Sequence, residues 1–234
     1  TELLIDALGE RYGQLTFIPI DISRSALEES ASRLHDDRPW LRVEAVESEY
    51  EAGLDQIHSW NQRPMLVAWL GSSIGNLSRE SASSFLARVC DRLTASDRLL
   101  LGADLRKDAG TLERAYDDHR GVTARFNLNL LVRINRELGG QFELGTFRHR
   151  AIYHEGPGRV SMYLESTIDQ VVRIEKLDLD IRFRAGERIH TEDSVKYSFH
   201  ELDTLAQRGG LVREARWLDA DQRFSVSLLA QRAR

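Results

Sequence analysis

"WLGSSIGNL", residues 69–77, continues the apolar run "MLVAWLG" (65–71) and leads into "RESASSFLARVCDRLT" (79–94). The run has the length of a buried strand, and the segment that follows has the spacing of a helix. Between them, Gly71 and Gly75 mark a tight strand-to-helix turn. It is not a Walker loop, because Asn76 and Leu77 stand where a lysine and a magnesium-binding hydroxyl would be needed. Glycines here let the backbone come close to a ligand, and Asn76 offers both an amide donor and a carbonyl acceptor. That chemistry suits a small zwitterion better than a phosphate.

The same alternation extends outward. Upstream, "TELLIDALGERYG" reads as an amphipathic helix and "LTFIPIDIS" (15–23) as an apolar run ending in Asp21 and a cap at Ser23. "RSALEESASRLHDD" reads as a helix, and "LRVEAVES" (41–48) alternates like a strand. Downstream, "DRLLLGADL" (97–105) is a further buried strand. Strands alternating with helices predict an α/β fold with a parallel sheet, whose ligands bind beyond the strand C-termini.

The pattern changes after about residue 106. Two helical stretches, "AGTLERAYDDH" and "VTARFNLNLLVRINREL", lead to Gly139-Gly140, followed by the extended segments "FRHRAIYH", "RVSMYLEST", "QVVRIEKLDL" and "DIRFRAGERIH". Residues 106–196 are therefore expected to form an α+β insertion, with 1–105 and 197–234 forming the sheet domain. "SFHELDTLAQRGG" reads as a helix, and "LVREARWLD" and "RFSVSLLAQ" as an antiparallel hairpin closing the sheet.

A net charge of −5, without a basic stripe, argues against a nucleic-acid scaffold. The single cysteine, Cys90, permits neither an internal disulfide nor a cysteine-based zinc cluster. No apolar run approaches the ~18–20 residues of a membrane span, and no signal peptide is visible. A soluble, cytoplasmic setting is the expectation, with neither nucleic acid nor membrane as partner.

Asp21, at a strand end, suits either a ribose hydroxyl or a plain turn carboxylate. Glu49-Tyr50, after the next strand, could bind an adenine or be an ordinary polar loop. The seven histidines are scattered; His149 and His154 fall on opposite faces of one strand. "YDDH" reads as a solvated helix face or cap, and no metal is expected. In "RIHTEDSVKYS" (188–198), Glu192 and Ser194 share a strand face, where a carboxylate beside a hydroxyl could hold an imidazole. The competing reading there is a helix N-cap.

Together, "IPIDIS", "WLGSSIGNL", "LLLGADLRKDAGTLERAYDD", "GVTARFNLNLLVRINRELGGQF" and "IHTEDSVKYS" resemble the histidine-specific methyltransferase family, in order and over essentially the whole chain. The resemblance implies a class I S-adenosylmethionine-dependent (Rossmann-like) fold with an inserted substrate domain. The implied activity is transfer of methyl groups to the α-amine of L-histidine, giving trimethylhistidine on the route to ergothioneine. It implies that Asp21 binds the ribose, Glu49 and Tyr50 lie on the adenine side, and Gly71 lines the donor site. Asn76 and Tyr116 would hold the amino acid's backbone end, Glu192 and Ser194 the imidazole, and Met162 the pocket wall. The α-amine would attack the sulfonium methyl directly, its proton leaving through water or Tyr116, with S-adenosyl-L-methionine as the one cofactor. A monomer is compatible with such a site.

This chain departs from the family pattern in carrying Glu-Tyr where Asp-Phe is usual, with Ser48 in place of a glycine. It opens on Thr1 and enters a helix directly, so the fold's first strand and Gly-rich turn are expected to lie outside it. Other readings stay open: an NAD-dependent oxidoreductase, disfavoured because no Tyr-x-x-x-Lys pair occurs; a non-catalytic binding module; or a methyltransferase for another amino acid or amine.

Overall fold

The computed structural model describes residues 1–58 and 64–232. In chain order the elements are α1 (Glu2–Tyr12), β1 (Leu15–Phe17), β2 (Ile20–Asp21), α2 (Arg24–Asp37), β3 (Leu41–Val43), β4 (Val46–Glu47), α3 (Tyr50–His58), β5 (Leu66–Trp69), α4 (Arg79–Arg92) and β6 (Arg98–Asp104). Then come α5 (Ala109–Tyr116), α6 (Val122–Leu138), β7 (Phe147–His154), β8 (Arg159–Ser166), β9 (Gln170–Ile174), β10 (Leu179–Phe183), β11 (Arg188–Val195), α7 (Phe199–Arg208), β12 (Leu211–Leu218) and β13 (Phe224–Gln231).

The main sheet runs β12-β13-β6-β5, with β5 and β6 parallel and the β12–β13 hairpin antiparallel to β6. Its centre is fully buried: Leu86, Leu99, Leu211 and Leu229 are among the residues sealed between α4, α7 and the sheet. Burying one such leucine contributes about 1.5–3 kcal/mol, so this cluster is the dominant anchor of the fold.

The expected strand 15–23 is broken. Pro19 lacks an N–H and separates β1 from β2, and the partner run 41–48 divides in step into β3 and β4. Parallel pairs β1–β3 and β2–β4 result, and among the described residues no strand pairing links them to β5. The run 65–71, expected to be a buried strand, is half-buried, with Ala68 exposed. Ile20 nevertheless packs against the main core, and the Tyr50 ring meets the Trp69 ring edge-on at 4.7 Å. The ends of β4 and β5 are thereby brought side by side.

Between β6 and α7 lies a second body with its own core: Leu131, Phe142, Phe147, Leu164, Val172, Ile174 and Phe183. Helix α6 ends at Gly139 in the left-handed conformation (φ 66°) and covers the antiparallel sheet β11-β8-β7. Two segments differ from expectation. The run 170–179 stops at Ile174 in a short 3₁₀ turn, and 180–190 is divided by a turn at Gly186 (φ 86°). The pieces form a separate β9–β10 hairpin and the long strand β11. The excursion starts and finishes at one place: Leu105 bridges Tyr197, whose N–H donates to Asp104 O at 3.1 Å. No helix among the described residues is long and apolar enough to cross a membrane.

Candidate active site

Four strand ends meet at one edge of the molecule. Asp21 closes β2; it is half-buried, and its Oδ1 accepts the Ser23 N–H at 2.8 Å, which fixes its orientation. Glu49 is exposed and its carbonyl accepts from Gly53 N–H at 2.9 Å, opening α3; Tyr50 is 47% exposed. After β5 the chain turns through Gly71 (φ 72°) and Ser72 (φ 62°). A left-handed serine is strained, and a bond across to the sheet offsets this: Ser72 Oγ accepts the Asp104 N–H at 2.9 Å. Above Gly71 the space is open; a Cβ there would find its nearest neighbour, Ser73 Oγ, at 4.0 Å.

The 3₁₀ turn Ser73–Asn76 rests on β11 and Tyr197. The fully buried Tyr197 donates its hydroxyl to Ile74 O at 3.4 Å, and burial pushes that phenol up to about 12. Gly75 lies against β11, and Asn76 is exposed at the end of the turn. The loop from the nucleotide-type sheet therefore abuts the last strand of the inserted body.

On that strand a bulge between His190 and Glu192 accommodates Thr191, whose hydroxyl donates to Met162 O at 3.0 Å. Beyond the bulge, Glu192 pairs with Met162 and Ser194 with Val160, so Glu192 and Ser194 share a face. Met162 is buried and Glu192 half-buried. The N-cap reading of this segment does not hold: the cap of α7 is Ser198, which forms a capping box with Glu201. Tyr116, at the C-terminus of α5, donates to Ser194 Oγ at 2.9 Å. Two residues expected at opposite ends of a bound amino acid thus touch each other directly.

Sequence reasoning missed the groups that hold this pair. Lys196 has no solvent exposure, and its ammonium donates to Tyr116 Oη at 2.6 Å and Ser194 Oγ at 2.7 Å while pairing with Asp104 Oδ2 at 3.0 Å. On the other side, the buried His149 joins Tyr116 O through Nε2 at 2.7 Å. Asn127 Nδ2 faces both the Tyr163 carbonyl and His149 Nδ1. Because a carbonyl only accepts, that nitrogen is the donor; Nδ1 then accepts and Nε2 carries the proton given to Tyr116 O. The available signal was a lysine in "SVKYS" set among strand residues and an asparagine on the apolar face of "FNLNLL". "YDDH" is a cap: Asp118 accepts from Val122 and Thr123 N–H, which hold its carboxyl well below the usual range. No group that could hold a metal ion occurs among the described residues.

A clamp closes the junction. Glu201 accepts from Arg79 at 2.8 Å and from Arg106 at 2.7 and 2.9 Å, and those arginines also hold carbonyls of the β7–β8 turn, residues 155–157. Burial raises the Glu201 pKa, but the Arg106 bonds, the Ser198 N–H and the charge of Arg79 outweigh it and bring it to about 2.

The chain was compared with known proteins. It is 38% identical to the histidine N-alpha-methyltransferase of Mycolicibacterium smegmatis, over 97% of this chain and 70% of that protein. It is 29% identical to ergothioneine biosynthesis protein 1 of Neurospora crassa, over 98% of this chain and 26% of that protein. An L-tryptophan methyltransferase from Psilocybe serbica is 26% identical over 94% of this chain and 64% of that protein. The family model described as histidine-specific methyltransferase, SAM-dependent, matches residues 1–231. With its α/β sheet, its strand-end site and this match over nearly its whole length, the chain belongs to the S-adenosylmethionine-dependent histidine-specific methyltransferases.

Proposed function

We propose that this protein methylates the α-amine of L-histidine, the step that yields trimethylhistidine in ergothioneine biosynthesis. The observation that carries the reading is the meeting of the Asn76 turn with the strand bearing Glu192 and Ser194, beside Tyr116. The 38% identity to a histidine N-alpha-methyltransferase supports it. Residues 1–105 with 197–234 serve as the donor-binding domain, and 106–196 as the substrate-binding insertion.

The residues present suit the nucleoside half of S-adenosylmethionine. Asp21 brings an oriented carboxylate for ribose hydroxyls, Tyr50 an exposed ring beside Glu49, and Gly71 an open stretch of backbone. When bound, that cofactor supplies a methyl group on a sulfonium. No metal enters the proposal.

On the substrate side, Asn76 offers its side-chain amide to the carboxylate end, Glu192 and Ser194 hold the imidazole with Tyr116 bonded to Ser194 beside them, and Met162 forms the wall beneath the ring. Fixing both ends leaves the α-amine as the free nucleophile, so catalysis is mostly orientation and exclusion of water. Each round needs a neutral amine. Tyr116 is poorly placed as the base, because its oxygen already accepts from an ammonium and its proton points at Ser194. The amine proton therefore leaves to water, and Tyr116 acts by positioning.

Incubating the protein with L-histidine and the methyl donor, then weighing the product, tests the proposal. Stepwise gains of one methyl mass on histidine are expected. Methylation of L-tryptophan in preference to histidine would overturn the substrate assignment, and histidine binding without methyl transfer would leave a binding module.

A further inference from the structure

We propose that Lys196 is a positioning residue that sets the direction of the hydrogen bonds in the substrate pocket, making the Tyr116–Ser194 pair present a proton, not a lone pair, to the bound amino acid. This rests on the histidine reading above and adds to it the form of the imidazole that the site accepts.

The Lys196 ammonium has three N–H bonds and faces three oxygens: Asp104 Oδ2, Tyr116 Oη and Ser194 Oγ, at 3.0, 2.6 and 2.7 Å. With the side chain fully buried, no water competes for them. An ammonium cannot accept, so both hydroxyl oxygens must accept from it. The two hydroxyls are also 2.9 Å apart, Tyr116 donating to Ser194. Ser194 Oγ thus accepts twice and has no lone pair left, while its own proton is unspent. Two hydroxyls carry two protons and use one between them, so one remains to point outward.

A ligand atom facing Ser194 must therefore accept. An imidazole satisfies this with its unprotonated nitrogen, while its N–H meets the Glu192 carboxylate on the same face of β11. Without Lys196, either hydroxyl could rotate to offer a lone pair, and the preference for an acceptor would lapse. Asp104, at the end of β6 and also bonded by Lys107, is the counter-ion of the buried ammonium.

The test is calorimetric titration, in the presence of S-adenosylhomocysteine, of L-histidine and of the two pyrrolylalanine isomers, in which one ring nitrogen is a C–H and the other keeps its N–H. The wild type should favour histidine over the better isomer by about tenfold or more, the cost of stranding a buried donor. In Lys196→Met this ratio should shrink to about threefold or less, whatever happens to the absolute affinities. An unchanged ratio, even with both affinities lowered, would mean that Lys196 only supports the fold and would overturn the proposal. Should Lys196→Met fail to fold, the double variant Asp104→Asn/Lys196→Met removes both charges and is read by the same ratio. Failure of the wild type to bind L-histidine would instead overturn the substrate assignment, a result visible before any variant is made.

Discussion

Gly75 sits so close to Val195 that a Cβ on it would lie 2.7 Å from the Val195 carbonyl oxygen. The same Cβ would be 3.4 Å from the Val195 nitrogen and 3.5 Å from Ser194 Oγ. Backbone cannot swing aside as a flexible side chain can, so Gly75→Ala must push the 73–76 turn off β11. A loss of about 1–3 kcal/mol in denaturant titration is expected, with histidine affinity reduced as Asn76 and Ser194 part. An alanine variant as stable and as tight-binding as the wild type would show that this contact does not position the site.

Asp21 is expected to act on the donor alone. Asp21→Ala should weaken S-adenosylhomocysteine about tenfold or more, the value of one hydrogen bond to a charged group. L-Histidine affinity, measured separately by calorimetry, should stay within about twofold. Equal losses for both ligands would argue against a ribose contact.

Glu192 is the converse case. In Glu192→Ala the ring N–H loses its acceptor, and kcat/KM for histidine should fall about ten- to hundredfold. Turnover of amino acids with apolar rings should change far less, and affinity for S-adenosylhomocysteine should be preserved. A uniform loss across substrates would remove Glu192 from the specificity pocket.

The Glu201 clamp gives a stability signature in acid. Its carboxyl titrates near 2 in the folded protein, below the ~4.3 of an unfolded chain. The stabilisation is therefore complete above about pH 4.3 and is lost progressively as pH falls toward 2. Its size at neutral pH is of order 2 kcal/mol. Glu201→Gln should lower the melting temperature at pH 7 and flatten its decline between pH 5 and about 3. A variant whose melting temperature tracks the wild type by a constant offset across that range would count against the clamp.

Much of this architecture is legible in the chain because local chemistry and tertiary packing agree. Ser23 caps α2, Gly139 ends α6, and the 211–231 hairpin pairs as its apolar alternation requires. The breaks come where local signals are weak: Pro19 was inside an apolar run and divided a strand, and the 3₁₀ turn at 175–177 has no sequence mark that separates it from the strand before it.

The candidate site divides in the same way. Asp21, Gly71, Asn76, Glu192 and Ser194 stand out because strand-end position or face alternation marks them, and Tyr116 and Met162 were reached through family resemblance. Lys196, Asp104, His149 and Asn127 act through contacts as distant in sequence as Lys196 and Tyr116, 80 residues apart. No periodicity encodes that a lysine at a strand end will be buried against a tyrosine from another helix.

The shortness of the two parallel ladders has a dynamic consequence. The β1–β3 and β2–β4 ladders are short, and Ile5, Leu34 and Leu41 form a small apolar cluster separate from the main core. A unit with so few buried contacts opens at lower free energy than the β6–β13 centre. Amide hydrogens of residues 15–21 and 41–47 should exchange with deuterium well before those of 98–104. Because Asp21 closes the short β2–β4 ladder, nucleoside binding there is expected to slow exchange in 15–21 and 41–47 while leaving that of 98–104 unchanged.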